Sequence, residues 1–320
     1  MIKQNPLSPF LNDAGFLTID GGLATELEAR GHDLTDKLWS ARLLLDNPNV
    51  IRQLHYDYLS SGADCIISAS YQATISGFVD RGLHEQQAAD MLRLAVSLAT
   101  EARDAFWSEP GNRMNRQRPI VAASIGPYGA ALADGSEYTG DYDLDQRGLV
   151  AFHSRRWQIL ADTQADILAC ETIPSFPELR ALITLLNKSP NRFAWFSFSC
   201  RDENRINDGT RIIDCAKLLN ENKQVAAIGI NYTAPRYIGG LIDQVRSGSD
   251  KPIVVYPNSG EHYDAVDKRW TGTSDAGEFA ELSGAWFEAG AALIGGCCRT
   301  GPEHIRLIQE KLSGLVSPVQ

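Results

Sequence analysis

Two adjacent cysteines, Cys297 and Cys298, are the strongest candidates for chemistry in the sequence. They follow a pair of glycines and precede an arginine and a run that is typical of a helix start. Thiolates bind zinc at about 2.3 Å, and a helix amino terminus and a guanidinium group both favour thiolate over thiol. The pattern therefore predicts a metal site or a reactive thiol pair. The alternative, a small apolar core side chain, is the interpretation we prefer for Cys65, Cys170 and Cys215.

Two carboxylates follow apolar runs that are typical of buried strands. Asp20 ends the run FLTID, and Glu171 ends the run DILACE. Burying an unpaired carboxylate is costly, so each side chain should have a partner such as a substrate ammonium group or a backbone amide. For Asp20 the alternative is a helix cap ahead of Gly21 and Gly22. A cap is the less natural interpretation for Glu171.

Other apolar runs also end in polar side chains. These side chains are Ser68, Ser70, Gln72, Asn231, Tyr232 and Asn258, and Cys200 ends another run without an assigned role. The six histidines do not form a ligand set. We therefore expect thiols, carboxylates, amides and hydroxyls, rather than a histidine base, to make up the site.

The elements that would position these residues alternate along the chain. Apolar runs of strand type occupy residues 16–20, 64–70, 120–126, 166–171, 193–199, 225–231, 252–258 and 291–296. Stretches of helical spacing lie between them, including residues 83–107, 146–160, 176–186, 212–219 and 276–287. Nearly continuous apolar strands are typical of parallel sheets covered by helices. Eight such units predict an α/β fold, a (β/α)8 TIM barrel, as a single domain over residues 1–320. An open Rossmann sheet is disfavoured because no G-x-G-x-x-G motif follows a strand.

A long polar loop follows the third predicted strand, over about residues 130–145. In a barrel the carboxyl ends of the strands meet at one face, where the chemistry lies, so this loop is a candidate lid. Its charges and nearby rings would favour a cationic ligand; the residues are Asp134, Glu137, Asp141, Asp143, Tyr128, Tyr138 and Tyr142. The alternative is a solvated surface turn.

The composition limits the class of partner. The 320 residues include 30 Lys+Arg and 40 Asp+Glu, giving a formal charge of -10. This balance disfavours nucleic acid or an anionic membrane and leaves a small molecule as the expected partner. Six cysteines are too sparse for a disulfide framework, and the sequence has neither a signal-peptide pattern nor an apolar membrane span. We expect a cytoplasmic protein, and the oligomeric state is left open.

Several segments together resemble the homocysteine S-methyltransferase family. They are LTIDGGLATELEARG at 17–31, ACET at 169–172, VVYPNSGEHYD at 254–264 and GGCCRT at 295–300. PYGAALADGSEYTGDY at 127–142 resembles the bacterial branch that uses S-methylmethionine. The resemblance extends from about Asn5 to Leu312. It implies a (β/α)8 barrel that binds Zn2+ through three cysteines and transfers a methyl group from S-methylmethionine, or S-adenosylmethionine, to homocysteine.

The resemblance also implies roles for individual residues. Cys297 and Cys298 match two zinc ligands, and Asp20 and Glu171 match carboxylates that hold the amino group of homocysteine. The other matching or strand-end positions are expected to bind substrate, namely Gly21, Ser68, Ser70, Gln72, Asn231 and Asn258. With the two thiols, Glu171 completes the expected catalytic set.

The sequence departs from the family at the third zinc ligand. The family pattern ends in cysteine after the sixth strand, and here Tyr232 stands in that position, in the run GINY. A phenol has a reference pKa of about 10 and is a harder, bulkier ligand than a thiolate, so we expect weak or poor zinc coordination. Three interpretations stay open: a substituted or inactive variant of an active enzyme, an altered metal shell, or a divergent member with reduced or changed activity.

Two other functions also stay open. The first is a zinc-independent lyase or hydrolase in which Asp20 and Glu171 act as acid and base. The second is a catalytically impaired barrel that binds homocysteine or methionine as a sensor or regulatory protein, which Tyr232 would favour.

Overall fold

The computed structural model describes residues 4–34, 39–260, 262–264, 269–271 and 274–316. Its strands are β1 Leu17–Thr18, β2 Cys65–Ile67, β3 Ile120–Ile125, β4 Ile167–Ile173, β5 Ala194–Phe198, β6 Val225–Asn231, β7 Ile253–Tyr256, β8 His262–Asp264, β9 Arg269–Thr271 and β10 Ala291–Ile294. Its helices are α1 Ser8–Asp13, α2 Leu23–Ala29, α3 Leu43–Asp46, α4 Pro48–Ser60, α5 Ile75–Val79, α6 Glu85–Ser108, α7 Tyr128–Leu132, α8 Gln146–Ala161, α9 Phe176–Asn187, α10 Ile212–Asn220, α11 Ile238–Gly248, α12 Ala276–Glu288 and α13 Pro302–Leu315.

Eight of the described strands form one parallel sheet, in the order β1-β10-β7-β6-β5-β4-β3-β2. A parallel bridge between Ile19 and Cys65 brings the two ends of this order together. The sheet therefore nearly closes into a barrel, with helices between successive strands. The predicted (β/α)8 fold is confirmed. β8 and β9 form a separate antiparallel hairpin that the sequence pattern did not predict.

The first two strands are shorter than the sequence predicted. At their ends a side-chain hydrogen bond replaces the backbone hydrogen bonds between the two strands. The Asp20 carboxylate accepts this hydrogen bond from the amide of Ile67 at 2.9 Å. The amide of Asp20 still donates to the carbonyl of Cys65 at 3.0 Å. The chain thus leaves regular β structure where its first functional side chain begins.

The strands contribute to two buried hydrophobic clusters. One cluster lies between strands and helices, and its members include Val121, Phe196 and Ile228. The other collects residues in alternation along the strands, such as Ile120 and Ala122, and also includes Leu7 and Phe10 from the segment around α1. These strand residues lie at or near the amino ends of their strands, so the α1 segment covers that end of the barrel. The carboxyl ends are left for ligands.

Four short helices, α1, α3, α5 and α7, escaped the sequence prediction because six or fewer residues carry too little periodicity to be recognised. The predicted helices are all present to within about two residues at each end. The α8 helix begins where the side chain of Asp145 accepts a hydrogen bond from the amide of Gly148 at 2.8 Å. None of the helices in the described ranges is long and apolar enough to span a membrane.

Candidate active site

A cavity of about 130 Å³ opens at the carboxyl ends of the barrel strands. Most of the residues that the sequence predicted for the site line it: Asp20, Gly21, Ser68, Gln72, Glu171, Asn231, Tyr232, Cys297 and Cys298. Segments that follow β1, β2, β4, β6 and β10 supply these side chains. The barrel thus brings together residues that are far apart in the sequence, from Asp20 to Cys298.

Glu171 is held by two hydroxyl groups at the end of β4. Its carboxylate accepts hydrogen bonds from the Ser124 hydroxyl and, at 3.1 Å, from the Tyr256 hydroxyl. Burial raises the pKa of Glu171 to about 7, because the charged form loses its hydration. The hydrogen bonds from Ser124 and Tyr256 act against this shift. The group is therefore poised near neutrality and gains from a cationic partner.

Asp20 is the second buried carboxylate of the cavity. Burial raises its pKa well above the ordinary value, and the nearby charge of Glu171 adds to the shift, whereas the hydrogen bond from Ile67 opposes it. The alternative interpretation of Asp20 as a helix cap is wrong, because the capping position of α2 is Gly22. The charge of Glu171 makes ionisation of Asp20 more costly, and a ligand that carries a positive charge would offset this cost.

Cys297 and Cys298 lie beside the turn that follows β1. A Cβ atom on Gly22 would overlap the carbonyl oxygen of Cys297, so only glycine permits this approach. The amide of Cys298 donates to the side-chain oxygen of Asn258 at 3.3 Å. A hydrogen bond with Cys297 and burial both raise the pKa of the Cys298 thiol. Without a bound metal, the thiol form of Cys298 is therefore favoured over the thiolate.

Tyr232 occupies the third expected ligand position as a neutral phenol. Its backbone is left-handed, with φ 49°, and its hydroxyl donates to the hydroxyl of Tyr138 at 2.9 Å. The two rings are stacked with centroids 5.4 Å apart. Burial and the neighbouring Cys298 raise the pKa of Tyr232 far above its usual range. The phenol is therefore engaged with the loop that follows β3 and is a poor anionic ligand.

The donor set does not fit the three-cysteine zinc shell that the family resemblance implies. Cys297 and Cys298 supply two thiols, but the third position holds a protonated phenol. In the part of the chain that the structure describes, no group of three or more His, Cys, Asp or Glu side chains is arranged to hold a metal ion. Any metal at this position would have two protein thiolates rather than three.

Two predicted substrate-binding residues, Ser70 and Asn258, lie behind the cavity wall. Ser70 is fully buried, and its hydroxyl lies 2.8 Å from the hydroxyl of Ser68 and donates to the carbonyl of Ser124 at 2.8 Å. The side-chain oxygen of Asn258 accepts a hydrogen bond from the amide of Cys298. Both residues touch groups that line the cavity or that hold Glu171, so the structure gives them supporting positions.

Asn231 is fully engaged with its neighbour on β4. Its side-chain oxygen accepts the amide of Thr172 at 2.7 Å, and its side-chain nitrogen donates to the Thr172 hydroxyl at 2.7 Å. Thr172 has a left-handed backbone, with φ 60°, a conformation that costs about 1–3 kcal/mol and persists only where neighbours hold it. Asn231 therefore shapes the wall between β4 and β6.

The polar loop after β3 covers one side of the cavity. It contains α7 and a short 3-10 turn, Ser136–Tyr138, and two of its side chains, Glu137 and Tyr138, line the cavity. The other acidic residues of the loop, Asp134, Asp141 and Asp143, are exposed. Tyr128 and Tyr142 pack edge to face against each other, with ring centroids 5.3 Å apart.

A buried charged network anchors this loop. The Glu178 carboxylate accepts the amide of Tyr128 at 2.6 Å and lies 2.7 Å from Nε2 of His153. Because Nδ1 of His153 faces the guanidinium of Arg156 at 3.0 Å, Nδ1 is the acceptor and Nε2 donates to Glu178. Arg156 also donates to the carbonyl of Gly126, where the loop begins. The network fixes the start of the loop to α8 and α9.

The cavity wall also contains residues that the sequence did not predict for the site, among them Tyr71, Thr172 and Tyr256. Tyr256 ends β7, and its hydroxyl lies 2.5 Å from the hydroxyl of Ser197 and accepts the indole N–H of Trp195 at 3.1 Å. Its position at a strand end was a usable sign. Tyr71 and Thr172 lie one residue from predicted positions, and sequence spacing does not show which neighbour faces inward.

The structure is thus a (β/α)8 barrel in which paired thiols and buried carboxylates surround one cavity. The chain belongs to the homocysteine S-methyltransferase family, whose family model matches residues 17–312.

Relatives of known name agree over almost the whole length. The chain is 50% identical over 305 residues to homocysteine S-methyltransferase YbgG of Bacillus subtilis, covering 95% of this chain and 97% of that protein. It is 46% identical over 314 residues to the homocysteine S-methyltransferase of Escherichia coli, covering 97% and 100%. The metallated form of the Escherichia coli homocysteine methyltransferase MmuM superposes with a TM-score of 0.87 at 44% identity, covering 96% and 100%.

Proposed function

We propose that the chain transfers a methyl group from a sulfonium donor to the thiol of homocysteine, giving methionine. The observation that carries this proposal is the single cavity in which the thiols of Cys297 and Cys298 share the wall with the buried carboxylates Asp20 and Glu171. The names of relatives at 46–50% identity, which are homocysteine S-methyltransferases, support the same acceptor.

The acceptor subsite is the carboxylate pair. Homocysteine carries an ammonium group, and Asp20 and Glu171 are buried anions whose raised pKa values are lowered again by a bound cation. The hydroxyls of Ser124 and Tyr256 hold Glu171 in place, which reduces the reorganisation needed on binding. The ammonium group would then orient the rest of the homocysteine molecule within the cavity.

The reaction needs alignment more than acid–base chemistry. One bond forms between the homocysteine sulfur and the methyl carbon, while the bond from that carbon to the donor sulfur breaks. The electron pair of the broken bond stays on the sulfur of the donor, which leaves as a thioether. The acceptor thiol releases its proton to the solvent. Holding the three atoms in line can supply several kcal/mol of the barrier reduction, about 7–11 kcal/mol in the best cases.

We propose S-methylmethionine as the donor. The support is chemical and comes from the cavity wall, which carries carboxylate and amide oxygens together with tyrosine rings, one of them Tyr138 of the loop after β3. Such a wall favours a positively charged sulfonium compound over a neutral one. S-adenosylmethionine carries the same charge and is the alternative donor.

We also propose that Tyr232 limits zinc binding and with it the rate of methyl transfer. The metallated form of the Escherichia coli relative supports a metal in this family. The present chain offers Cys297 and Cys298 but a neutral phenol as the third group. Changing Tyr232→Cys would restore a third thiol and should raise both the zinc content and the rate.

The test compares four proteins after equilibration with zinc and dialysis: the unsubstituted chain and the variants Tyr232→Cys, Tyr232→Phe and Cys298→Ala. Bound zinc is measured by elemental analysis, and methionine formation is measured with homocysteine and S-methylmethionine. We expect Tyr232→Cys to hold more zinc and to turn over faster than Tyr232→Phe, which keeps the ring but offers no ligand. Equal zinc and equal rates in both variants would contradict the assigned role of position 232.

A second candidate function is a sensor that binds homocysteine or methionine without turnover. The hydrogen-bonded stack of Tyr232 on Tyr138 favours it, because it fills a ligand position with an inert contact. Methionine formation by the unsubstituted chain at rates of about 1 per second or more, within the range of ordinary enzymes, would exclude this candidate.

A further inference from the structure

Two buried oxygen atoms on the wall of the cavity have no hydrogen-bond partner. They are Oε2 of Glu137, in the loop after β3, and Oε1 of Gln72, after β2. Both residues line the cavity already described. Buried acceptors without partners are rare because their desolvation is not repaid. The cavity therefore offers two unused acceptors on the side of this loop.

The protein itself orients both acceptors. The side-chain nitrogen of Gln72 donates to the carbonyl of Ala130 in α7 at 3.4 Å, which leaves its oxygen free. Glu137 is fixed by the packing of the 3-10 turn on α7, where a Cβ atom on Gly129 would overlap the amide of Glu137. Burial and the nearby charge of Asp134 raise the pKa of Glu137, although hydrogen bonds from backbone amides and from the Tyr138 side chain act against this shift. The charged neighbour that shifts this carboxyl group is itself acidic, so the group gains from a cation brought by a ligand.

This pair of acceptors is separate from the carboxylates at the acceptor subsite. Asp20 and Glu171 already receive hydrogen bonds from Ile67, Ser124 and Tyr256. Oε2 of Glu137 and Oε1 of Gln72 receive none. An ammonium group has three N–H donors and a full charge, whereas a sulfonium sulfur has no hydrogen to donate. The unpaired oxygens therefore fit an ammonium group better than the sulfonium centre.

We propose that Glu137 and Gln72 bind the α-ammonium group of the sulfonium methyl donor. They are specificity-determining residues, because they distinguish an amino-acid sulfonium compound from one that lacks the amino group. The inference rests on the proposed function for the identity of the donor. It gives each of the two amino-acid substrates its own carboxylate: Glu137 for the donor, and Asp20 with Glu171 for homocysteine.

Equilibrium binding tests the proposal without requiring turnover. S-methylmethionine and dimethylsulfoniopropionate, a sulfonium compound without an α-amino group, are titrated calorimetrically into the unsubstituted chain and into Glu137→Gln. We expect Glu137→Gln to lower the affinity for S-methylmethionine by about 10- to 100-fold, the usual effect of losing a hydrogen bond between charged groups. Binding of dimethylsulfoniopropionate should change by less than about threefold, because it has no ammonium group to lose a partner.

Two controls separate this effect from damage to the loop. Asp143→Asn makes the same carboxylate-to-amide change at an exposed position of the loop, and it should leave both affinities unchanged. Homocysteine binding reports on the rest of the site and should be unaffected in Glu137→Gln. Equal weakening of the two sulfonium compounds, or no weakening of S-methylmethionine, would overturn the proposal.

Methionine formation is measured in parallel, so that the two proposals can fail separately. A chain that binds S-methylmethionine through Glu137 but forms no methionine would contradict the proposed function and leave the ammonium subsite in place. A chain that forms methionine with the same donor preference in Glu137→Gln would contradict the subsite alone.

Discussion

At the scale of single residues, the candidate site is built from buried groups whose charges are not neutralised by the protein. Asp20 and Glu171 are both less than 10% exposed, and burial raises both pKa values. Each pKa unit corresponds to about 1.4 kcal/mol between the folded and unfolded chain. We therefore expect these two carboxyl groups to lower the free energy of unfolding of the ligand-free protein. A bound cationic ligand should raise it again.

Glu171→Gln should stabilise the free protein at neutral pH. The pKa of Glu171 rises from 4.5 in the ordinary case to about 7 in the folded chain. A raised carboxyl pKa contributes stability that is complete below pH 4.5 and is lost as the pH rises through about 7. The free energy of unfolding of Glu171→Gln, relative to the unsubstituted chain, should therefore increase as the pH rises from 4.5 to about 7. The increase should be at most about 3 kcal/mol.

Urea unfolding at several pH values measures this gain in the absence of homocysteine. Glu101→Gln on the exposed side of α6 is the matched control and should show no such growth. A stability difference for Glu171→Gln that is the same at pH 4 and pH 8 would contradict the assigned shift. Homocysteine binding should meanwhile be lost in Glu171→Gln, because the amide carries no charge.

At the scale of elements, short parallel strands depend on close approach between backbones. Gly229 lies within β6, and a Cβ atom there would overlap the carbonyl oxygen of Val254 on β7. The strands pair in register at this point, with Gly229 opposite Val254. The glycine also lies two residues before Asn231, so the same contact sets the position of a cavity wall.

Gly229→Ala should destabilise the protein by about 1–3 kcal/mol or more, the usual cost of inserting a methyl group into a filled space. Gly239→Ala in α11 is the matched control, because nothing lies within 4 Å of the added atom, and it should stabilise the helix by up to about 1 kcal/mol. Thermal or urea unfolding measures both changes. Equal effects of the two substitutions would contradict the packing described for β6 and β7.

At the scale of the whole molecule, stability and ligand binding are concentrated at opposite ends of the barrel. Phe10 of α1 is 4% exposed and lies at the amino end, in a buried cluster that extends through the barrel to Tyr256 of the cavity wall. The cavity with Cys297 and Glu171 lies at the carboxyl end.

Phe10→Ala should lower the free energy of unfolding by about 3–5 kcal/mol, because it leaves a cavity in a packed interior. The affinity for homocysteine, measured well below the unfolding temperature, should stay within about twofold of the unsubstituted chain, since Phe10 does not line the ligand cavity. Met114→Ala, at a position 75% exposed, is the control for stability. A large loss of homocysteine affinity in folded Phe10→Ala would show that the two ends are coupled.

The fold could be predicted from the sequence because local hydrophobic patterns indicate its strands and helices. Apolar runs alternate with helical stretches, and each of the eight barrel strands lies within a predicted run or extends past it by no more than two residues. Cys65, Cys170 and Cys215, predicted to be core residues, are fully buried. The hairpin of β8 and β9 and the short helices were missed, since a few residues without periodicity carry no such pattern. The single-domain boundaries, the cytoplasmic location and the absence of nucleic-acid and membrane partners stay predictions.

The sequence by itself determined the strand-end residues of the site, the family, and the departure from it at Tyr232, because a strand end and a motif are properties of adjacent residues. The tertiary structure alone decided which loop residues face inward. Four acidic residues of the loop were equivalent in the sequence, and one of them, Glu137, lines the cavity. It also decided the partner of Tyr232, which is Tyr138, 94 residues away. Such contacts depend on how an irregular loop packs on the finished barrel, and no local period specifies that.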